Sequence, residues 1–317
     1  MKSSTRVALC SAFACFPLSA LACSSCGCTL GGDWESQGFA ASPGLRVELR
    51  YDYLNQSQLR TRTGTVNRSA IVLPAGREIE QGTINRYATF GIDYSANADW
   101  GINFQLPHTN RSHTTVAPGD VDISSSHTQS IGDIRVIGRY QGFSDQRNYG
   151  VQFGLKLPTG DYRNTFNGGP QAGALLDRGL QPGTGTTDLL LGAFYVGALS
   201  DDFDYYAQAL VQAPLTTKDA FKPGMSLNAN FAVRYVANEK ITPELQVNAR
   251  TVRKDSGDSS DAANSGGTLV YLSPGATVSL GEKVRVFAFV QVPAYQRVNG
   301  YQLTPRYTAS VGARYVF

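Results

Sequence analysis

Three cysteines with close spacing, Cys23, Cys26 and Cys28, stand near the beginning of the chain. Three thiolates within six residues could bind a soft metal ion such as Cu(I) or Zn(II). The Cys-x-x-Cys pair could instead form a disulfide in an oxidising compartment. Cys23 could also carry a lipid, although the residues before it fit a lipoprotein signal poorly. Haem attachment is excluded because Gly27 stands where that motif needs a histidine. The sequence therefore leaves four alternatives for the cysteine segment, which are metal binding, a disulfide, lipidation and no special role. No other cofactor is expected.

Charged residues alternate with apolar ones along several segments. Between residues 45 and 53, Arg46, Glu48, Arg50 and Asp52 alternate with leucine, valine and tyrosine. Charges at this spacing would lie on one face of a strand, and in a pore they would set ion selectivity. The predicted lumen-lining residues are Arg46, Glu48, Arg50, Asp52, Asp133, Arg135, Arg139, Lys156, Arg234, Arg250, Arg306 and Arg314.

All three histidines lie between residues 108 and 128, together with Asp120 and Asp122. We predict this segment to be one outer loop, in which His108, His113 and His127 could form a weak metal or proton-sensitive site. The polar composition of a loop explains their presence equally well.

The elements that must position these residues are strands, because apolar residues recur with a period of two. The clearest example is residues 304–317, where Tyr307, Val311, Tyr315 and Phe317 share one face. Such a strand, ending on an aromatic residue, resembles the closing strand of bacterial outer-membrane β-barrels. The predicted strands are at about 45–53, 81–95, 100–106, 129–142, 148–158, 185–199, 203–213, 225–237, 242–253, 268–280, 283–293 and 304–317.

The connections between these twelve strands alternate between short and long. Long polar connections are predicted at about 56–80, 108–128, 159–184, 214–224, 254–267 and 294–303. Short periplasmic turns opposite long outer loops are typical of outer-membrane barrels. A soluble β-sandwich also has regularly spaced strands, but so many long loops would be excessive for one. We therefore predict an all-β, transmembrane antiparallel β-barrel over residues 44–317, with both termini in the periplasm.

The first 22 residues have the form of a secretory signal peptide. Lys2 and Arg6 precede an apolar run, and Ala20-Leu21-Ala22 suits signal peptidase. Cleavage there would remove only these two charges and lower the formal net charge from +3 to +1, which leaves no basic footprint for nucleic acid. Residues 23–43 would form a periplasmic segment rich in cysteine and glycine. The longest uncharged run downstream, residues 189–200, is too short for a membrane-spanning helix, which needs about 20 residues.

Three motifs in the middle of the chain resemble a known family. They are Ile131-Gly-Asp-Ile-Arg135, Gly154-Leu-Lys-Leu-Pro-Thr-Gly-Asp161 and Gln181-Pro-Gly-Thr-Gly-Thr-Thr-Asp188. In this order they are similar to motifs of the outer-membrane transporter family named for the meta-pathway of phenol degradation, over roughly residues 130–317. The resemblance implies a barrel for solute passage but supplies no substrate or binding residue. Physically, Pro158 ends a strand and the glycines allow tight loop conformations, so the motifs are expected to shape the loop at 159–184. Its apolar stretch 172–176 could fold back and constrict a pore.

The functional expectation is a passive channel in the outer membrane. Twelve strands enclose a narrow lumen, and its cations should either pair into a closed network or favour anions and aromatic acids. The expected partners are outer-membrane lipid, small solutes and the barrel-assembly machinery, which would read the strand ending in Phe317. The alternative is a barrel that anchors a metal-binding or surface-interaction segment at Cys23, Cys26 and Cys28. Enzymatic activity is not expected, because the chain lacks the His-x-Ser-Asn-Gly segment of outer-membrane phospholipases and only one predicted loop carries histidine.

Overall fold

The computed structural model describes residues 43–238 and 240–317, which fold into thirteen β-strands and three single 3-10 turns. The strands are β1 (Gly44–Arg62), β2 (Gly64–Thr65), β3 (Ile79–Ser95), β4 (Trp100–Val116), β5 (Ser124–Ile131), β6 (Ile134–Tyr140), β7 (Tyr149–Leu157), β8 (Asp188–Ala198), β9 (Phe203–Pro214), β10 (Ser226–Tyr235), β11 (Ile241–Val252), β12 (Gly267–Leu280) and β13 (Val284–Val316). The 3-10 turns are Arg68–Ala70, Arg178–Leu180 and Ala262–Asn264. Across the described ranges, no helix is long and apolar enough to cross a membrane.

The strands form one antiparallel sheet that closes on itself, because β13 pairs with both β12 and β1. At the seam between β1 and β13 the register runs without interruption from Arg46 opposite Val316 to Leu54 opposite Thr308. Eleven strands make up the ring. Of the other two, β2 is a two-residue extension beside β1, and β5 pairs with β4 beyond the part that β6 occupies. The predicted closed barrel is confirmed.

Strand β13 crosses the wall twice. Its first part pairs with β12 as far as Val298 and its second part pairs with β1, so the antiparallel order requires the chain to reverse direction near Gly300. The two ends of β13 meet again where the amide of Val316 donates to the carbonyl of Lys283 at 2.8 Å. Gly300 has a φ of +54°, a conformation that glycine adopts without steric cost. The ring therefore makes twelve crossings, as the sequence predicts.

Several strands are longer than predicted. β1 continues to Arg62, β4 continues to Val116, and the predicted connection at 294–303 belongs to the two arms of β13. The prediction of long loops over the whole of 56–80, 108–128 and 294–303 is wrong. The physical reason is that the strands continue beyond the apolar belt, where both faces are polar and the period-two contrast disappears.

Apolar side chains cover the outside of the ring. Leu49 is 59% exposed and Val311 is 50% exposed, as expected of residues that face lipid and unlike those of a soluble core. Aromatic residues collect near the short turns, where Trp100 lies 4.6 Å from Tyr140 and Tyr315 lies 4.8 Å from Phe317 between ring centroids. We call this edge of the barrel the turn end and the opposite edge the loop end.

Candidate functional site

Near the turn end, opposite charges on the inner wall are paired. Arg46 donates to Asp93 at 3.0 Å, Arg234 to Asp204 at 2.7 Å through Nε, and Arg314 to Glu48 at 2.7 Å. One level further in, Arg50 donates to Asp52 at 2.9 Å. Removal of either partner of a buried pair leaves an uncompensated charge, so the two side chains of each pair hold each other in place.

The middle of the lumen carries a chain of amides. Gln208 donates to Gln152 at 2.7 Å, Asn230 donates to Gln208 at 3.2 Å, and Asn248 donates to Asn230 at 2.9 Å. These side chains connect β7, β9, β10 and β11, and the bond between Gln208 and Gln152 spans β8, which lies between their strands. Each amide offers both donors and acceptors, so this layer can exchange its hydrogen bonds with a polar solute.

Apolar side chains also point into the barrel, which the sequence reading missed. Ile137, Leu190 and Leu210 form one buried cluster, and Phe194 packs with Tyr206 in another. The run Leu189-Leu190-Leu191, which interrupts the period-two pattern, is explained because Leu190 faces this inner cluster while Leu191 is 49% exposed. The inner wall is therefore a mixture of apolar and polar side chains that pack on each other.

The three sequence motifs converge on one buried polar cluster near the loop end, which we call the lysine node. Lys156 contacts Asp133 at 2.7 Å and Asp188 at 3.4 Å, and it donates to the carbonyl of Thr186 at 2.9 Å and to the hydroxyl of Thr184. Asp133 also accepts from the amide of Thr184 at 2.9 Å. Each motif contributes one charged residue, so the motifs tie the beginnings of β6 and β8 to the end of β7.

Of two further bonds of the node, one fixes the long loop between β7 and β8, residues 158–187, and the other ties β8 to β9. The amide of Gly160 donates to Asp133 at 3.0 Å, and Gln212 on β9 donates to Asp188 at 2.5 Å. A Cβ atom on Gly160 would lie 2.7 Å from the Cα of Gly183, so the two arms of the loop cross at a distance that only glycine allows. The expectation that the motifs shape this loop agrees with these contacts.

The loop folds back onto the inner wall of β4 and pairs with the edge of β5 that faces away from β4. Arg111 donates to the carbonyl of Gly179 at 3.1 Å, and the amide of Ser125 donates to the carbonyl of Gly168 at 2.9 Å. Leu176 and Leu180 form a buried cluster with Phe166. These contacts with β4 and β5 come from Gly168 and Gly179 rather than from the predicted stretch 172–176, of which only Leu176 is buried.

A cavity of about 800 Å³ opens between the loops at this end. We call it the vestibule. Its lining consists of residues 162–163 and 175–178 of the β7–β8 loop, Asp219 of the β9–β10 loop and residues 258–263 of the β11–β12 loop. This size is typical of small-molecule sites. Arg178 forms part of the wall and stacks between Tyr162 and Phe221, at 4.7 and 4.8 Å from the two ring centroids.

Most of the predicted lumen residues are buried on the inner wall. Arg46, Glu48, Arg50, Asp52, Asp133, Arg139, Lys156 and Arg234 are each at most 8% exposed. Three more are partly buried: Arg314 in its pair with Glu48, Arg135 with a bond to Gln212 at 3.3 Å, and Arg250 with a bond to Asn228 at 2.9 Å.

The position of Arg306 differs from the prediction. Its side chain is exposed and lines a groove of about 540 Å³ beside Arg68 and Gln58. The pairing of β1 with β13 is irregular between Leu54 and Gln58, and this bulge breaks the alternation that the sequence reading assumed.

The predicted histidine loop is wrong. His108 and His113 lie in β4 and His127 lies in β5. His113 is 1% exposed and its Nδ1 lies 2.8 Å from the hydroxyl of Thr83, whereas His127 is exposed beside Ser112. Neighbouring positions of a strand face opposite sides, so the three rings do not converge. Within the described ranges, no group of three histidine, cysteine or acidic residues could hold a metal ion.

The predicted cysteine site and the predicted signal peptide lie outside the described residues. Cys23, Cys26 and Cys28 precede residue 43, where the description begins. Strand β1 begins at Gly44.

Residues of the vestibule escaped the sequence reading. Tyr162, Arg178 and Asp261 lie in loops that have no periodic pattern, and their convergence depends on how three loops fold. The available signal was the spacing of the motifs on either side of the β7–β8 loop, which fixes both loop ends but not the residues between them.

The chain is similar to one protein family and to solved outer-membrane barrels. A family model described as "Putative MetA-pathway of phenol degradation" matches residues 60–307. The fold is similar to the COG4313 outer membrane channel from Pseudomonas putida F1, with a TM-score of 0.63, 12% identity, and coverage of 88% of this chain and 98% of that one. It is also similar to the β domain of the Bordetella autotransporter BrkA, with a TM-score of 0.51, 13% identity, and coverage of 87% and 100%. No curated protein sequence matches the chain. At these identities the structural likeness establishes an outer-membrane barrel fold.

Proposed function

The chain belongs to the family named for phenol degradation by the MetA pathway, and on that basis we propose that it is a narrow channel for passive passage of small solutes across the bacterial outer membrane. The observation that carries this proposal is the closed ring with an apolar outer face and a largely polar, charged inner face. Such a ring satisfies its backbone hydrogen bonds in lipid and encloses a polar path.

The lining of the inner wall suits small solutes that have an apolar or aromatic part. Apolar clusters at Leu190 and Phe194 alternate with the amide layer at Gln152 and Gln208, so a solute would meet both kinds of surface. Most lumen cations are paired with carboxylates. Of the two outcomes expected from the sequence, a closed charge network and a preference for anions, this pairing favours the network.

The orientation we propose places the turn end in the periplasm and the loop end outside, as in other outer-membrane barrels. Export by the signal peptide at residues 1–22 and insertion by the barrel-assembly machinery belong to this proposal. At the turn end the amide of Phe317 donates to the carbonyl of Leu45 at 3.0 Å, which holds the closing arm of β13 against β1.

Passage would require the β7–β8 loop and the buried side chains below it to rearrange locally. The β7–β8 loop covers the path near Arg111, and below it the buried side chains are packed on one another. We therefore expect small unit conductance and slow permeation that depends strongly on solute size. The role we propose is transport rather than catalysis, and the similar structures named above are a channel and an autotransporter domain.

Reconstitution into planar bilayers and liposomes tests the proposal. The full chain should give discrete openings and should let small solutes swell liposomes. Replacement of the inward Phe194 by alanine should raise conductance, because it removes a buried ring from the lumen. Phe153→Ala is the matched control, since Phe153 is 43% exposed on the outer face and should leave conductance unchanged. An electrically silent barrel without liposome swelling would refute the channel.

A further inference from the structure

The vestibule has an unusual balance of charge for the mouth of a cation-rich barrel. Four aspartates and two arginines line it, alongside the apolar side chains of Leu175, Leu176, Ala262 and Ala263. Asp219 contacts Arg163 at 3.2 Å, so these two charges offset each other. A simple anion would meet an excess of carboxylates here.

Arg178 is the cationic feature of the wall. It lines the cavity and donates to the carbonyls of Thr184 at 2.7 Å and Lys218 at 3.4 Å. Burial lowers the pKa of Arg178, although the nearby Asp219 and Asp177 carboxylates oppose the shift. A ligand carboxylate would supply a charged acceptor for this guanidinium.

The acidic feature lies in the β11–β12 loop. Asp261 accepts from the amide of Asn264 at 3.3 Å and from its side chain at 2.8 Å, while the side chain of Asp258 is exposed beside it. Burial, together with the nearby Glu78 carboxylate, raises the pKa of Asp261 although the bonds from Asn264 oppose the shift. An ammonium group of a ligand would pair with the Asp261 carboxylate, as a ligand carboxylate would pair with Arg178.

We propose that the vestibule binds a small zwitterion with an apolar body, in the chemical class of the α-amino acids with apolar side chains. The carboxylate of the solute faces Arg178, the ammonium faces Asp258 and Asp261, and the apolar body lies along Leu175 and Ala262. This assignment rests on the proposed channel function, for which it names the solute class received at the loop end. The cavity of about 800 Å³ exceeds the size of such a solute and leaves room for water.

Calorimetric titration of the detergent-solubilised full chain at pH 7 tests the assignment. The probes are L-phenylalanine, its anionic analogue 3-phenylpropionate and its cationic analogue 2-phenylethylamine. We expect phenylalanine to bind roughly tenfold more tightly than either analogue, because each analogue leaves one charged wall without a partner. Tighter binding of 3-phenylpropionate, or no binding of phenylalanine up to about 10 mM, would overturn the proposal.

Two variants locate the contacts. Arg178→Gln should lower the affinity for phenylalanine to that for 2-phenylethylamine. Asp258→Asn, at an exposed position, should weaken phenylalanine a few-fold and leave 3-phenylpropionate no weaker. Asp122→Asn is the matched control, because Asp122 is an exposed aspartate that does not line the vestibule. Unchanged phenylalanine affinity in Asp258→Asn, or an equal loss in the control, would refute the assignment.

Bilayer recordings of the same sample without amino acid separate the two proposals. A barrel that conducts in these recordings but shows no preference for phenylalanine in the calorimetric titration refutes the solute assignment alone. A barrel that binds phenylalanine but never opens refutes the channel.

Discussion

Replacement of Lys156 by methionine should destabilise the barrel and release the β7–β8 loop. Lys156 is 3% exposed, and its loss would leave Asp133 at 8% and Asp188 at 1% exposure without their shared cation. Removal of one partner of a buried pair typically costs roughly 3–5 kcal/mol. The node retains bonds to both carboxylates from Thr184 and Gln212, so we expect the lower end, about 3 kcal/mol, or roughly a hundredfold in the unfolding equilibrium.

Urea unfolding of the barrel in lipid vesicles, followed by circular dichroism, would measure this change. Lys240→Met, at an exposed turn position, is the matched control and should change stability little. The double variant Lys156→Met with Asp133→Asn should recover roughly 1–2 kcal/mol, because one of the two stranded carboxylates is neutralised. In bilayers, Lys156→Met should open more often and to larger conductance. A loss below about 1 kcal/mol together with unchanged openings would show that the node does not hold the loop.

Other perturbations probe the same end of the barrel. Gly160→Ala should cost about 1–3 kcal/mol because its Cβ meets backbone of the opposing loop arm, whereas Gly76→Ala, with open space around it, should be neutral in the same urea titration. Arg111→Met should speed amide hydrogen exchange of residues 176–181, since the bond to Gly179 is lost; unchanged exchange would contradict this role. Phenylalanine affinity should fall on acidification, starting above the ordinary aspartate range, because the raised pKa of Asp261 lets it take up a proton early; affinity constant down to pH 4 would exclude Asp261 as the ammonium partner.

The ring could be predicted from the sequence because each membrane strand repeats a two-residue code. Leu49 and Val311 had to face lipid, so their neighbours Arg50 and Ser310 had to face inward, and the structure places them so. The period-two pattern no longer predicts the strand wherever one face ceases to be apolar. This happens beyond the belt in β1, β4 and β13, and at the bulge that turns Arg306 to the exposed groove.

The candidate site was less predictable for a different reason. The motifs around Asp133, Lys156 and Asp188 were visible in the sequence, but their meeting point depends on three strands lying side by side. The vestibule depends further on loops that pack by irregular contacts, such as Arg178 between two aromatic rings. No period encodes such contacts, so the structure was needed to find them.

The seam between β1 and β13 also constrains the order in which the molecule can be made. Ser310 donates to Asp52 at 2.6 Å across 258 residues, and Arg314 reaches Glu48 across 266. Every other neighbouring pair in the ring joins strands that are close in sequence, so those pairs can form before the seam. The seam cannot form until the last arm of β13 exists. Until the seam forms, the edges of β1 and of the closing arm of β13 remain open to pairing with other chains, so an incomplete barrel needs both edges protected.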